Sequence, residues 1–473
     1  MRGKTLLLVL ITTIIPAAMK AQNGASPPTI PVTQPGASPQ TTGTGGTSPQ
    51  QTATPTPAAP QLPAAASPLR LTVQDAEALA LKNNPQISVY RLLALASQQV
   101  TREAKSSYYP TTYGSLTAVE PQPGSRVAAG TLNNPIIFQR FAYGITLAQL
   151  ITDFGRTNNL VATETLRAKA ADMNAQATAA QVKLAVDQAF YNALQANAEL
   201  KVAEETVNAR QVVSDQITTL FNNKLKSELD VSFANANLAQ AKLLLLDAQN
   251  LYQAALSALS EVLGYPSQQQ FELVDTPGEL TPPSDAVAPL VDQAFSNRPE
   301  IAAQSYELQA SQRFQKAERD LLFPDIRALG VVGQVPVSNT PLLPSWYGAV
   351  GVNVNIPIFN GFLYPARSKQ AALQAQADGE RLRDLKNRIA NDVRTTWLNT
   401  QTAYQRISVT QQFVDQTNLA VDLSQTRYNL GLASIVELSQ AQLQQTQAQI
   451  QFAAAKYQYQ LQQAVLRFQI AAP

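Results

Sequence analysis

The sequence contains no cysteine and no histidine. Thiols and imidazoles are therefore excluded as nucleophiles, as general bases and as metal ligands, and no disulfide can form. No catalytic triad, phosphate-binding loop or carboxylate cluster replaces them, and the DFG triplet at 153–155 occurs without the other motifs of a kinase. The sequence therefore predicts a protein that is not an enzyme, with no catalytic residue, no metal site and no cofactor.

Long apolar runs are absent as well. No apolar run is as long as the roughly 18 residues that a membrane-spanning helix needs. The apolar run at residues 6–15 follows Arg2 and Lys4 and precedes small residues at 17–21. This order is typical of a secretory signal peptide, which we predict at residues 1–21. If the remaining chain crosses a bilayer, it must do so with β-strands.

Charge is scarce in the segment that follows. Residues 22–68 contain eleven prolines and no charged residue. Such a composition buries too little apolar surface to offset the entropy of ordering, so we predict a disordered leader. The net charge of +2, less the three basic residues of positions 1–21, leaves −1. A nearly neutral chain gives no support for nucleic-acid binding.

Two parts of the sequence match each other. NNPQI at 83–87 matches NRPEI at 297–301, an offset of 214 residues. Further along, the offset is 207 and pairs Phe221 with Tyr428, Ser227 with Ser434 and Asp230 with Glu437. We therefore predict two structural repeats, at 69–265 and 288–473, joined by a linker at 266–287.

Each predicted repeat contains a pair of strands, near 111–120 and 139–151 in the first and near 325–335 and 346–357 in the second. In the last of these, Val352 and Val354 alternate with Asn353 and Asn355. One apolar and one polar face are typical of a strand with lipid on one side and water on the other. A soluble sheet with one buried face is the alternative. Loops rich in proline, glycine and serine are predicted at 120–138 and 335–346.

Long helices follow the strands. Residues 156–221 contain neither proline nor glycine, which allows a helix about 100 Å long. Sevenfold spacing of apolar residues indicates helices packed side by side. We predict helical hairpins at 156–264 and 363–470. The strand-to-helix joints are predicted at Asp153, Gly155 and Arg156 in the first repeat and at Pro357, Asn360 and Gly361 in the second.

Four strands are too few to close a barrel. Strand edges cannot face lipid, so a membrane location requires an oligomer. Two chains would supply eight strands and three would supply twelve. The strand count excludes a monomer and leaves the larger assemblies open.

Four segments in this order resemble the outer-membrane efflux protein (TolC-like) family: LTVQDAEALALKNNPQI, LAQLITDFGR, VNIPIFNGF and RYNLGLASIVELSQ, which begin at residues 71, 147, 354 and 427. The resemblance covers essentially residues 69–470. It implies a mainly α fold with a small β part, in which three chains form a twelve-stranded β-barrel continuous with a periplasmic α-helical barrel. It also implies an outer-membrane channel for efflux or type I secretion. The implied partners are a periplasmic adaptor, an inner-membrane transporter and outer-membrane lipid.

The resemblance also implies roles for the turns of the two hairpins. Adaptor contacts are expected at Lys224, Ser227, Gly431 and Ser434, although a plain helix connection would use the same residues. A ring of acids at the periplasmic entrance is expected from Asp230 and Glu437, which as residues near a helix start are equally explained by the helix dipole. Ala433 and Gln440 stand where the family has an arginine and a second acid.

Two other functions remain as alternatives. A trimeric coiled-coil surface or periplasmic protein without a channel would have heptads and a signal peptide, but it would not need two strand pairs. A periplasmic adaptor would have one helical hairpin, whereas two are predicted here.

Overall fold

The computed structural model describes residues 69–122, 124, 139–275, 281–338 and 345–472. The predicted signal peptide and leader lie outside these residues. So do most of the loop predicted at 120–138 and positions 339–344 of the loop predicted at 335–346.

The fold is mainly helical with a small β part, as predicted. In chain order, the described elements are β1 (Leu69–Leu71), α1 (Val73–Asn83), α2 (Pro85–Ser106), β2 (Thr111–Val119), β3 (Arg140–Thr152), α3 (Arg156–Asn222), α4 (Glu228–Val262), β4 (Phe271–Leu273), α5 (Ala288–Asn297), α6 (Pro299–Asp320), β5 (Asp325–Ser338), β6 (Trp346–Asn355), α7 (Leu363–Asn429) and α8 (Ile435–Gln469). The order of two helices, two strands, one long helix and one shorter helix therefore occurs twice.

The helices α3 and α7 have 67 residues each, and α4 and α8 have 35 each. At 1.5 Å per residue the long ones span about 100 Å. Most buried positions of α3 are alanine or threonine, and these small side chains let neighbouring helices approach closely. Thr101 of α2 donates to the Glu164 carbonyl of α3 at 3.0 Å, and Ser214 of α3 donates to Asn235 of α4 at 2.8 Å.

Strands β2, β3, β5 and β6 form one antiparallel sheet in that order. The pairing of β3 with β5 joins the two halves of the chain and sets Gly144 opposite Gly333. Both positions require glycine, because the ring of Tyr347 lies over them. A Cβ atom on Gly144 would lie 2.7 Å from the Tyr347 hydroxyl, and one on Gly333 would lie 2.6 Å from the same atom. β2 and β6 are the edge strands.

The segment predicted as a plain linker at 266–287 contains a strand. β4 pairs in parallel with β1, and Arg70 forms an ion pair with Glu272 at 2.9 Å. Strands of three residues are too short for their alternation to be visible in a sequence. This small sheet ties the start of the first half to the segment between the halves.

The prediction of a loop that begins at residue 335 is also wrong at its start, because β5 continues to Ser338. Pro336 and Ser338 suggested a loop. The register of β3 against β5 shifts between Phe141 and Tyr143, however, so that Val335 and Pro336 lie opposite the single residue Ala142. Proline is tolerated at such a bulge.

The largest apolar cluster lies around the middle of α3, where Val186 and Phe190 pack with Leu259, Leu71 and Phe271. A second cluster holds α5 and α6 against α7 and the end of α8, with Val291, Ile301, Ile389, Val393 and Ile470 among its members. A third lies at the far end of the hairpins. Among the helices in the described ranges, none combines the length and apolarity needed to cross a bilayer.

A carboxylate is buried beside the first cluster. Asp187 is 8% exposed, and its Oδ1 atom has no hydrogen-bond partner among the described residues. Burial, and then the neighbouring Glu77, raise the pKa of Asp187 to about 7. Glu77 itself pairs with Lys183 at 2.9 Å. This group of charges links α1 to the middle of α3.

Candidate functional site: the sheet, the joints and the hairpin turns

The sheet presents one continuous apolar face. Paired residues on neighbouring strands share a face, and Ile145 lies opposite Val332 while Gly330 lies opposite both Leu147 and Val350. These side chains have no cover in the single chain, where Val350 is 92% exposed. Val352 and Val354 lie on the same face as Val350, and Asn353 and Asn355 lie on the other, because side chains alternate along a strand.

The first strand-to-helix joint turns sharply at Phe154 and Gly155, whose φ angles are 55° and 109°. Asp153 stabilises the turn, since its carboxylate accepts hydrogen bonds from the Gly155 amide at 3.2 Å and the Thr157 amide at 2.7 Å. Without this carboxylate the Thr157 amide, in the first turn of α3, would lose its acceptor. Gly155 also lies against Asp320, whose Oδ2 would be 3.6 Å from a Cβ atom placed there.

The second joint uses a similar backbone with different side chains. Gly361 and Phe362 have φ angles of 62° and 65°, and the Leu363 amide donates to the Asn360 carbonyl at 3.2 Å. Phe359 and Phe362 pack edge to face with 5.6 Å between ring centres. Both rings remain exposed, at 76% and 72%.

The structure brings some of the predicted joint residues together and leaves others apart. Asp153, Arg156 and Pro357 line one cavity of 290 Å³ between the two joints. Asn360 and Gly361 do not line it. The Nε atom of Arg156 is buried and has no hydrogen-bond partner among the described residues.

At the far end, the two hairpin turns have the same backbone hydrogen bonds. The Leu225 amide donates to the Leu220 carbonyl at 2.9 Å, and the Leu432 amide donates to the Arg427 carbonyl at 2.8 Å. The residue before each donor has a positive φ, 62° at Lys224 and 73° at Gly431. In each turn the donor is the second residue after the helix C-cap, and the residue before the donor is left-handed. This arrangement is the Schellman motif, a common ending of helices.

The predicted entrance acids occupy equivalent places in α4 and α8, but they make different contacts. Ser227 and Asp230 form a reciprocal capping box: the Asp230 amide donates to Ser227 Oγ at 3.2 Å, and the Ser227 amide donates to the Asp230 carboxylate at 3.0 Å. Ser434 accepts from the Glu437 amide at 3.3 Å, but the Glu437 carboxylate lies 3.3 Å from Arg427 Nε of the preceding helix. This ion pair is exposed and stabilises little by itself.

The two turns meet at Tyr428. Its ring is 3% exposed and packs in the third apolar cluster with Ile217, Ile435 and Leu438, so that cluster includes residues of both hairpins. The Nζ atom of Lys226 lies 3.7 Å from the ring centre, a cation–π contact. Burial, and then Asp230, raise the pKa of Tyr428 to about 12.

A family model described as outer membrane efflux protein matches residues 78–265 and 290–471, more than half of the chain. The chain belongs to the outer membrane efflux protein family.

The fold of this outer membrane efflux protein is similar to those of solved channel proteins. CusC is 19% identical with a TM-score of 0.74, and the match covers 84% of this chain and 91% of CusC. CmeC of Campylobacter jejuni is 18% identical with a TM-score of 0.70 over 84% and 85% of the two chains. MtrE of Neisseria gonorrhoeae, in its open state, is 18% identical with a TM-score of 0.69 over 84% and 88%. No curated protein sequence gives a significant match.

Neither Lys226 nor Tyr428 was predicted from the sequence as a site residue of this efflux protein. The 207-residue offset pairs Tyr428 with Phe221, yet Phe221 is 38% exposed and Tyr428 is buried. Equivalent positions of the two halves therefore differ where the hairpins meet. One feature of the sequence could have indicated this contact. Both turns have an aromatic residue, Phe221 and Tyr428, but only the first turn has lysines.

Proposed function

We propose that this protein is the outer-membrane channel of a tripartite efflux or type I secretion system. It acts as a passive exit duct for substrates that an inner-membrane transporter and a periplasmic adaptor deliver. The observation that carries the proposal is the four-stranded sheet, with its exposed apolar face, joined directly to helices about 100 Å long. Family membership supports the channel function and the outer-membrane location.

The open sheet supports an oligomer, and the resemblance to the efflux family supports three chains. β2 and β6 are each paired on one side only within the described sheet, and an unpaired edge cannot face lipid. Pairing β6 of one chain with β2 of the next continues the antiparallel order. Three chains then give a closed barrel of twelve strands, with Val350, Val352 and Val354 toward lipid and Asn353 and Asn355 toward the water-filled interior.

The helices continue the barrel as a periplasmic tube, and the hairpin turns lie at its far end. Lys224, Ser227, Gly431 and Ser434 are the proposed contacts for the adaptor. Glu437 is exposed and Asp230 is half-buried near the same end, so in a trimer they place six carboxylates around the entrance. Fixed negative charge there favours the entry of cations.

The barrel closure is tested with cysteines on the two edge strands, since the natural chain has none. Ser115 of β2 and Gly351 of β6 lie on the same face of the sheet and are exposed. The variant with Ser115→Cys and Gly351→Cys is treated in outer-membrane fractions with a flexible bismaleimide. The two single-cysteine variants are the matched controls.

We expect covalent products up to three chains from the double variant and none larger. The single variants should remain monomeric on denaturing gels. A ladder that continues beyond three chains, or no crosslink between chains, would contradict the closed trimer. The coiled-coil protein without a channel also predicts no crosslink at these strand edges.

A further inference from the structure

A cavity of 470 Å³ lies between helices α3, α4 and α8, where the two hairpins run side by side. Its walls include the aliphatic side chains of Leu244, Leu443 and Ile450, and amide and hydroxyl groups complete the lining. Asn237 of α4 donates to Ser439 Oγ of α8 at 2.6 Å beside it. Both the volume and the largely apolar walls are typical of small-molecule sites.

Arg210 is the one charged side chain among the described residues that line this cavity. It is 8% exposed, and the part of the chain that the structure describes supplies it with no carboxylate and no hydrogen-bond acceptor. Burial alone lowers its pKa, to about 10. The guanidinium therefore keeps its charge at neutral pH without a counter-charge.

A largely buried cation without a partner is unfavourable, because burial removes most of its water and no anion replaces it. Arg210 lies twelve residues before the end of α3, about 18 Å from the hairpin turn. It is therefore separate from the entrance acids Asp230 and Glu437.

We infer that this cavity binds a small amphipathic anion, with its carboxylate or similar head group on Arg210 and its alkyl chain against Leu244, Leu443 and Ile450. The guanidinium offers the paired donors that suit a carboxylate. The aliphatic walls remove the tail from water. A purely polar anion would leave those walls uncovered, and a neutral or cationic amphiphile would leave Arg210 without a partner.

The test uses the full-length protein in a neutral maltoside detergent at pH 8, with sodium decanoate as the probe. Binding is measured by saturation-transfer NMR and by calorimetric titration. Decanol and decyltrimethylammonium carry the same tail without the negative charge. Arg210→Gln removes the cation, Arg210→Lys retains a charge, and Lys201→Gln removes an exposed charge from the same helix.

We expect saturable binding of one decanoate per chain and at least tenfold weaker binding of decanol and of the ammonium compound. Arg210→Gln should weaken decanoate binding at least tenfold, Arg210→Lys should retain part of it, and Lys201→Gln should leave it unchanged. If Arg210→Gln does not fold, Leu443→Trp provides the second variant, because Leu443 is 46% exposed and its replacement fills the cavity from the surface.

Three results would overturn the inference: decanoate does not bind to the natural protein, it binds no better than decanol, or it binds equally well to Arg210→Gln and Leu443→Trp. The first of these is also the result expected if an acidic side chain of another protein or another copy occupies the cavity.

Discussion

The Nζ atom of Lys226 lies 3.7 Å from the centre of the Tyr428 ring. Lys226 belongs to the turn between α3 and α4, and Tyr428 lies one residue before the end of α7. Their contact therefore connects the two hairpins of one chain. A cation–π contact of this kind stabilises by about 0.5–2 kcal/mol, which is sufficient to change how often the hairpin ends separate.

Replacing Lys226 with Met should loosen this connection without affecting the rest of the molecule. We expect faster amide hydrogen exchange near Val213, Val231 and Ile435, which belong to or pack against the cluster that holds Tyr428. The exchange rates around Val186 should not change. Lys224→Met is the control. Lys224 lies in the same turn, but the cation–π contact with the Tyr428 ring is made by Lys226. Equal exchange in both variants would show that the ring contact does not hold the turns together.

The proposed entrance charges predict selectivity for cations. Asp230→Asn and Glu437→Gln together remove six of these charges from a trimer while preserving side-chain shape. In a tenfold gradient of dilute KCl, the reversal potential should move toward zero, and the difference from the natural protein should disappear as salt screens the charges. Glu204→Gln and Glu205→Gln form the control, since they remove two exposed charges further along α3. An unchanged reversal potential would leave Asp230 with its capping role and Glu437 with its pairing to Arg427.

If the adaptor contacts the turns, a substitution there should reduce export without affecting assembly of the trimer. Ser434→Asp preserves an N-cap acceptor for α8 and adds a charge at the proposed interface. We expect less export from cells with the same amount of trimer in the outer membrane. Ser434→Thr retains the cap without the charge and should export normally. If Ser434→Asp also lowers the trimer yield, the turn serves folding and not adaptor contact.

Asp187 predicts how stability depends on pH. Its folded-state pKa of about 7 lies above the ordinary value of 3.8, chiefly because it is buried and then because Glu77 is near. The folded protein therefore holds a proton that the unfolded chain releases, so the contribution of Asp187 to the stability is most favourable below about pH 4 and is lost as the pH rises to about 7. The nearby Lys183 and Arg467 limit this loss.

Asp187→Asn should remove this part of the pH dependence. We expect the variant to gain stability over the natural protein at pH 8, on the order of a few kcal/mol, and little at pH 4. Thermal unfolding followed by circular dichroism measures the difference. Asp247→Asn, at an exposed position of α4, should give no such pH-dependent gain. Parallel pH profiles for the natural protein and Asp187→Asn would contradict the assignment.

The sequence was informative where local chemistry determines structure. The absence of proline and glycine predicts the length of α3, and the 207-residue offset places Asp230 and Glu437 at equivalent points near the starts of α4 and α8. Non-local pairings could not be predicted. β1 and β4 form because residues 202 positions apart meet, and Tyr428 is buried because two hairpins pack together. The unpartnered Arg210 carries no signal in the sequence, since its burial depends on α4 and α8 together.

The most direct test of the proposed function is the conductance of the purified protein in a planar lipid bilayer. The account predicts discrete, long-lived current steps of uniform size at constant voltage, without any nucleotide or partner protein. Proteolytic removal of the protein from solution before insertion should abolish the steps. A bilayer that remains sealed after verified insertion of the folded protein would contradict the channel and favour a coiled-coil protein without one.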